Sequence, residues 1–362
     1  MKKILILSNS SSGLYEFRNE IVLDMLRENE VYLSLPDVDN YFELFEKEGA
    51  NMLHTPFERR GMNPVKDLKL FQTYKKIIKD IKPDLVCTYT IKPNIYGGMA
   101  CRVMRIPYVV NITGLGTAIQ GGGTLAKVLL MMYRIATKKA ECVFFQNKYN
   151  KDFMQSQGIA VDTAQMLPGS GVNLEVHSYK PYPSENPAIK ILAVLRVMKD
   201  KGIEEFFELV DELGSDKVKF ILAGDYEEET RDKYEPILKR LVAEGKLEYR
   251  GFVHDMDSLY AESHIIVHPS YHEGLSNVCL EAAACGRMVV TTNVPGCKDT
   301  VEEGKTGLLC QARNSADLKR VINDALAMTT EDREEYGKAG RKYVENNYNR
   351  EKVVEKYQNY YF

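Results

Sequence analysis

Short apolar runs alternate with amphipathic stretches along the whole chain. In the first half, Ile4–Leu7, Val31–Leu35, Leu85–Tyr89, Tyr108–Asn111, Cys142–Phe145 and Ala164–Leu167 are brief enough to be buried strands. Leu14–Arg27, Lys66–Lys79 and Leu125–Lys138 between them have helical patterning. Such alternation predicts an α/β chain with a doubly wound parallel sheet. Pro168-Gly-Ser-Gly-Val-Asn173, with Pro181, Pro183 and Pro187 beyond it, breaks the pattern and predicts a linker. The alternation then restarts with Ile189–Leu195, Val218–Ala223, Leu247–Arg250, His264–Val267 and Met288–Thr291, and the stretch from Asp317 onward is largely helical. The predicted division is a domain over 1–168, a linker over 169–187, a second domain over 188–346 and a terminal helix over 347–362.

At 362 residues the chain is long for one domain and comfortable for two. A hydrophobic share of 44% with 27% charge is that of a soluble globular protein. No uninterrupted apolar run reaches about 18 residues, so no membrane span is predicted. The apolar stretch after Met1-Lys-Lys is too short for a signal peptide and reads as a first strand. Cys87, Cys101, Cys142, Cys279, Cys285, Cys297 and Cys310 show no C-x-x-C spacing. They predict reduced, buried thiols in a cytoplasmic protein, with neither a disulfide frame nor a zinc site.

Charge is uneven. Through Pro168 there are 22 basic against 17 acidic residues, whereas the whole chain is at -3, so the second half is acidic. A basic first half suits an anionic membrane surface. Nucleic acid is not expected, because no aromatic-rich basic stripe or RNA-binding motif is present. Gly123 to Lys139 is apolar with Lys127, Arg134 and Lys138 at helical spacing, which fits a membrane-interface helix as well as a core helix. Lys75, Lys76 and Lys79 add a second basic cluster.

The most telling stretch runs from His268-Pro-Ser-Tyr-His-Glu273-Gly-Leu-Ser-Asn through Glu281 to Gly286. A buried strand leads into a loop, then into an Ala-rich helix with Ser276 or Asn277 as N-cap. A helix start offers unpaired N–H groups and partial positive charge, which suits a diphosphate. Glu273 precedes those groups and Glu281 follows by about one turn. Two carboxylates flanking a diphosphate match a nucleotide sugar, with sugar hydroxyls on one side and ribose on the other. The plain alternative is a surface glutamate plus a glutamate facing the helix dipole.

This segment resembles the E-x7-E signature of retaining glycosyltransferases of family 4. The resemblance implies the GT-B fold, two facing Rossmann-like parallel-sheet domains with a C-terminal crossover helix. It extends to Arg196-Val-Met-Lys-Asp-Lys201-Gly202 at a strand-to-helix turn, where Arg196 and Lys201 are expected to neutralise the departing diphosphate. It implies catalytic roles for Arg196, Lys201 and Glu273. Donor contacts are expected from Gly13, Gly251, Phe252, Val253, Gly274, Leu275, Ser276, Asn277 and Glu281. The expected acceptor-side residues are Arg18, Asn111 and Thr113. Many relatives carry a histidine near these last two; this chain has none there. No metal and no cofactor are expected beyond a nucleotide-sugar donor, with UDP favoured.

Asn9-Ser-Ser-Ser-Gly13 lacks the G-x-G-x-x-G of a dinucleotide-binding turn, and the resemblance implies instead a flexible Gly-bearing loop touching acceptor and donor phosphate. Asp37-Val-Asp39 reads as a solvated loop and not as a D-x-D metal site. The Gly114-Leu-Gly116 and Gly169-Ser-Gly171 segments resemble a subgroup active in capsule and surface-polysaccharide assembly. A lipid-linked or oligosaccharide acceptor is therefore expected, at the inner face of the plasma membrane. Two other readings remain. A related epimerase would need acid/base groups, and the first half offers only His54. The other is a non-catalytic nucleotide-sugar-binding partner, against which the intact Arg196, Lys201, Glu273 and Glu281 argue without ruling it out.

Overall fold

The protein is described here by a computed structural model covering residues 1–36, 40–56 and 63–362, with residue 117 as backbone alone. The Asp37–Asp39 expectation lies outside the described residues. The chain forms two compact units, one made of Met1–Gly171 with Arg350–Phe362, the other of Val172–Asn349.

The first unit holds strands β1 (Lys3–Leu7), β2 (Glu30–Leu35), β3 (Asn51–His54), β4 (Leu85–Tyr89), β5 (Tyr108–Ile112), β6 (Cys142–Phe145) and β7 (Ala164–Met166). They pair in parallel in the order β3-β2-β1-β4-β5-β6-β7. The second unit holds β8 (Ile189–Val194), β9 (Val218–Ala223), β10 (Leu247–Gly251), β11 (Ile265–His268), β12 (Met288–Thr292) and β13 (Gly307–Cys310). These too are parallel, in the order β10-β9-β8-β11-β12-β13. Each sheet carries a separate apolar cluster on each face, which is why its central strands read as unbroken apolar runs. In each unit the strand order reverses beside the first strand, at β1/β4 and at β8/β11, and ligands of such sheets bind at the carboxyl ends there.

The predicted parallel α/β architecture is what folds. Two strands escape the sequence pattern, β3 and β13. Both are four-residue edge strands; Asn51 to His54 is exposed or half-buried throughout, and β13 offers only Leu308, Leu309 and Cys310 after a glycine. The N-terminal helix begins at Ser11 rather than Leu14, because the Ser10 side chain accepts the Gly13 N–H at 3.0 Å and caps it.

The expected linker 169–187 is not a free connection. From Val172 onward it is part of the second unit. Arg287, fully buried, donates to the carbonyls of Pro181 (2.8 Å), Lys180 (3.3 Å) and Tyr260 (2.7 Å). Arg333 pairs with Glu185 at 2.6 Å. Pro and Gly density signalled irregular backbone correctly, but irregular backbone here is strapped down by two distant arginines. The other crossing falls at Asn349/Arg350, three residues past the expected boundary at 346/347.

The terminal helix Glu351–Tyr361 belongs to the first unit. It buries Val353, Tyr357 and Tyr361 in the cluster beneath β1, β2 and β4. Arg350 clasps both Glu20 oxygens at 2.7 Å, and Tyr361 Oη donates to Asp24 at 2.5 Å. All seven cysteines are buried and unpaired. No helix among the described residues is long and apolar enough to cross a membrane.

Candidate functional site

In the second unit, β11 ends at His268 and the chain turns into the helix Asn277–Ala284. Ser276 is the N-cap and its Oγ accepts the Cys279 N–H at 3.3 Å. Two neighbouring loops clamp the turn. Gly296, after β12, has φ of +82°, and a Cβ there would sit 2.4 Å from the Glu273 carbonyl. Gly202, after β8, has φ of +74°, and its Cβ would sit 2.2 Å from the Pro269 carbonyl. Only glycine fits either position. The clamp uses one of the expected N–H groups, since Ser276 N–H donates to Gly296 O at 2.8 Å.

This packing brings Lys201 onto Glu273 as an ion pair, with both side chains largely buried. His268 Nε2 lies 3.1 Å from the same Glu273 oxygen. Burial pushes the Glu273 carboxyl up, but Lys201 and His268 outweigh it and hold the group well below the usual carboxylate range. The carboxylate only accepts, so His268 donates from Nε2, and its buried Nδ1 is left with no partner. Arg196, half-exposed after β8, instead pairs with Glu227 from the loop after β9.

Glu281 lies one turn into the helix and accepts from Tyr260 Oη at 3.1 Å. Burial, then the Glu281 charge, raises the Tyr260 phenol, which keeps it a donor. His177 Nε2 is 4.0 Å from Glu281, and its Nδ1 is 2.9 Å from Asp257. His177, Asp257 and Cys285 place ligand-type atoms within 4.8 Å of one another. Lys180 already lies 2.8 Å from Asp257, and burial with the Asp257 charge raises the Cys285 thiol to about 12. A protonated thiol beside an ammonium does not suit a cation, and the group serves as a polar cluster around Glu281.

The remaining expected donor residues differ in exposure. Gly251 closes the edge strand β10, and Phe252 is 60% exposed with its ring edge-on to His254. Val253 packs against the apolar cluster that includes the Asn277–Ala284 helix, and Leu275 is buried in it.

In the first unit, Arg18, Asn111 and Thr113 come together around one small cavity at the carboxyl ends of β5 and β6. Gly13 is not in a flexible loop. It occupies the first turn of the helix Ser11–Leu26, where its carbonyl accepts from Arg18 Nη1 at 3.1 Å. Asn111 is also not an open contact. Its Nδ2 donates to Thr88 O at 3.0 Å and its Oδ1 accepts from Tyr357 Oη, so both polar atoms are used inside the unit. Sequence reasoning missed His268, Tyr260, Glu227 and Tyr357. His268 was visible beside the motif, whereas the other three come from separate elements with no local signal.

Residues 179–343 match the family model described as glycosyl transferases group 1, and residues 3–147 match glycosyl transferase 4-like. The chain is 28% identical over 338 residues to the N,N'-diacetylbacillosaminyl-diphospho-undecaprenol alpha-1,3-N-acetylgalactosaminyltransferase of Campylobacter jejuni, covering 89% of this chain and 88% of that one. It is 27% identical over 344 residues to the capsular polysaccharide biosynthesis glycosyltransferase CapM of Staphylococcus aureus, covering 88% of each. The Anabaena HepE structure in complex with UDP-glucose shares the fold with a TM-score of 0.83, at 18% identity and 99% coverage of both chains.

Proposed function

Because the chain belongs to glycosyltransferase family 4 and has the GT-B fold, we propose that it is a retaining transferase that moves a sugar from a UDP-sugar, such as a UDP-N-acetylhexosamine, to a polyprenyl-diphosphate-linked glycan in surface-polysaccharide or glycoconjugate synthesis. The observation that carries this reading is the Lys201–Glu273–His268 cluster, built at the carboxyl ends of β8 and β11 beside a capped helix start. Charge of both signs is concentrated there in a buried setting, where it acts most strongly on a reacting group.

In this mechanism Lys201 and Arg196 meet the donor diphosphate, helped by the helix N-terminus. Arg196 exchanges Glu227 for the phosphate, and its planar fork suits two phosphate oxygens. Glu273, kept ionised by Lys201 and His268, holds sugar hydroxyls and stabilises the positive charge that develops at the anomeric carbon. Glu281, oriented by Tyr260, accepts from the ribose hydroxyls. The exposed Phe252 ring and the neighbouring backbone form the uracil side. The acceptor hydroxyl attacks from the face the diphosphate leaves, and a leaving phosphate oxygen takes its proton. The cations supply the charge compensation, so the reading assigns no step to a metal.

On the same reading the first unit meets an anionic membrane. The helices Pro64–Ile81, Gly98–Met104 and Gly123–Thr137 pack beside one another and leave Leu68, Val103, Leu125, Met131 and Ile135 exposed. No acidic residue lies between Gly121 and Lys139, where Lys127 and Lys138 are exposed. Apolar and cationic groups together are what an anionic lipid surface binds.

The test is transfer in the presence of EDTA, from a panel of UDP-sugars to a synthetic polyprenyl-diphosphate-linked sugar, with the product's anomeric configuration read by NMR. An α-linked product supports the proposal. A β-linked product from an α-configured donor would overturn retention, and UDP-sugar epimerisation without acceptor would favour the epimerase reading.

A further inference from the structure

His177 lies in the strapped segment through which the chain enters the second unit, and its neighbours fix where its ring points. Its backbone N–H donates to Asn173 O at 2.9 Å, and its carbonyl accepts from Arg341 Nη1 at 2.7 Å. The same Arg341 nitrogen donates to Ala284 O at 3.0 Å, at the end of the Asn277–Ala284 helix. The backbone of His177 is thereby tied to the helix that carries Glu281. On the ring, Nδ1 lies 2.9 Å from Asp257 Oδ1. A carboxylate only accepts, so Nδ1 carries the hydrogen and the ring cannot turn over without losing that bond. Lys180, 2.8 Å from the other Asp257 oxygen, holds Asp257 in turn.

With Nδ1 fixed, Nε2 faces Glu281 Oε1 at 4.0 Å, while Tyr260 Oη donates to Oε2 at 3.1 Å. Each oxygen of Glu281 therefore has its own neighbour. The rings of His177 and Tyr260 stand edge to face with centroids 6.3 Å apart. Asp257 and Tyr260 lie one turn apart on the helix Met256–Glu262, so one helix face places both rings. The His177 and Glu281 side chains are only 13% and 12% exposed. Glutamate is long and flexible, and ordering such a side chain at the moment of binding costs affinity. A carboxylate that must meet two neighbouring hydroxyls gains most from being held beforehand.

We propose that His177 is a positioning residue for Glu281: locked by Asp257, its ring holds the carboxylate in the orientation that receives both ribose hydroxyls, and so strengthens the preference for a ribonucleotide over its deoxy analogue. The proposal rests on the ribose role given to Glu281 above. At 4.0 Å the ring makes no direct hydrogen bond to Glu281. It acts by closing off the space beside Oε1 and by turning a polar edge to it. The segment from Val172 to Pro187 then supports the donor site as well as joining the units.

The test is calorimetric titration of UDP and of 2′,3′-dideoxyuridine diphosphate against wild type, His177→Ala and His177→Asn. Wild type is expected to bind UDP more tightly than the dideoxy analogue. In His177→Ala, UDP should weaken by about fivefold while the dideoxy analogue changes by less than about twofold. His177→Asn, whose amide keeps a donor for Asp257 but stops short of Glu281, should lose the same selectivity, and it carries the test if His177→Ala fails to fold. Equal UDP affinity in wild type and every folded variant overturns the proposal. An equal loss for both nucleotides also overturns it, by making His177 a general support of the unit. Wild type that binds both nucleotides alike would overturn the ribose role of Glu281, and wild type that binds no UDP would overturn the transferase reading; either takes the proposal with it.

Discussion

Burial opposes the charge of Glu273 while Lys201 and His268 sustain it. Neutralising Lys201 or Arg196 should cut turnover by about 100-fold, comparable to losing one oxyanion donor; single-turnover transfer assays measure this. The same ion pair predicts a pH effect. The Glu273 pKa is lower folded than unfolded, so its stabilisation is fully present above the unfolded carboxylate pKa, about 4.3. It is lost as pH falls toward the folded value. In thermal melts, the stability gap between wild type and Glu273→Gln should therefore narrow steadily below about pH 4. A gap that stays constant with pH would contradict the depressed carboxyl. At this scale the positions of Glu273, Glu281 and Lys201 at strand-to-helix turns were legible because one local strand-loop-helix pattern carries each. Glu227 and Tyr260 were not, because their roles come from loops and helices that only the fold brings near Arg196 and Glu281.

Sequence patterning found the central strands most plainly, and it found the edge strands β7 and β10 as well. Central strands such as β1, β4, β5 and β11 are buried throughout or nearly so, and their apolar runs announce them. Edge strands β3 and β13 have one neighbour each and are four residues long, β3 without a buried position and β13 with only three apolar residues. The segment from Val172 to Pro187 was misread for a related reason, because carbonyl acceptors look the same in a free loop and in one bound by Arg287. Arg287→Met should leave several buried carbonyls without a donor and cost about 3 kcal/mol. A urea melt reads this as a lower midpoint, and an unchanged midpoint would deny the strap. For the basic face of Gly123–Thr137, Lys127→Glu with Lys138→Glu should reduce co-sedimentation with phosphatidylglycerol vesicles. Binding unaltered by the double charge reversal would remove that helix from the membrane contact.

For the whole molecule, strand–helix alternation on both sides of one irregular stretch was enough to imply two parallel-sheet units. Their parallel sheets, covered on both faces, follow from that pattern. What the pattern does not carry is the division of chemistry between them. The second unit holds the Lys201–Glu273–His268 cluster and Glu281, to which the proposed function assigns the nucleotide sugar. The first holds a basic apolar face and the terminal helix Glu351–Tyr361. The most direct measurement is a calorimetric titration of UDP in EDTA against wild type, Lys201→Met and Glu281→Ala. Saturable binding by wild type, weakened about tenfold or more in each variant, is the expected result. No binding by wild type, or variants that bind as wild type does, would contradict a donor site built on these residues.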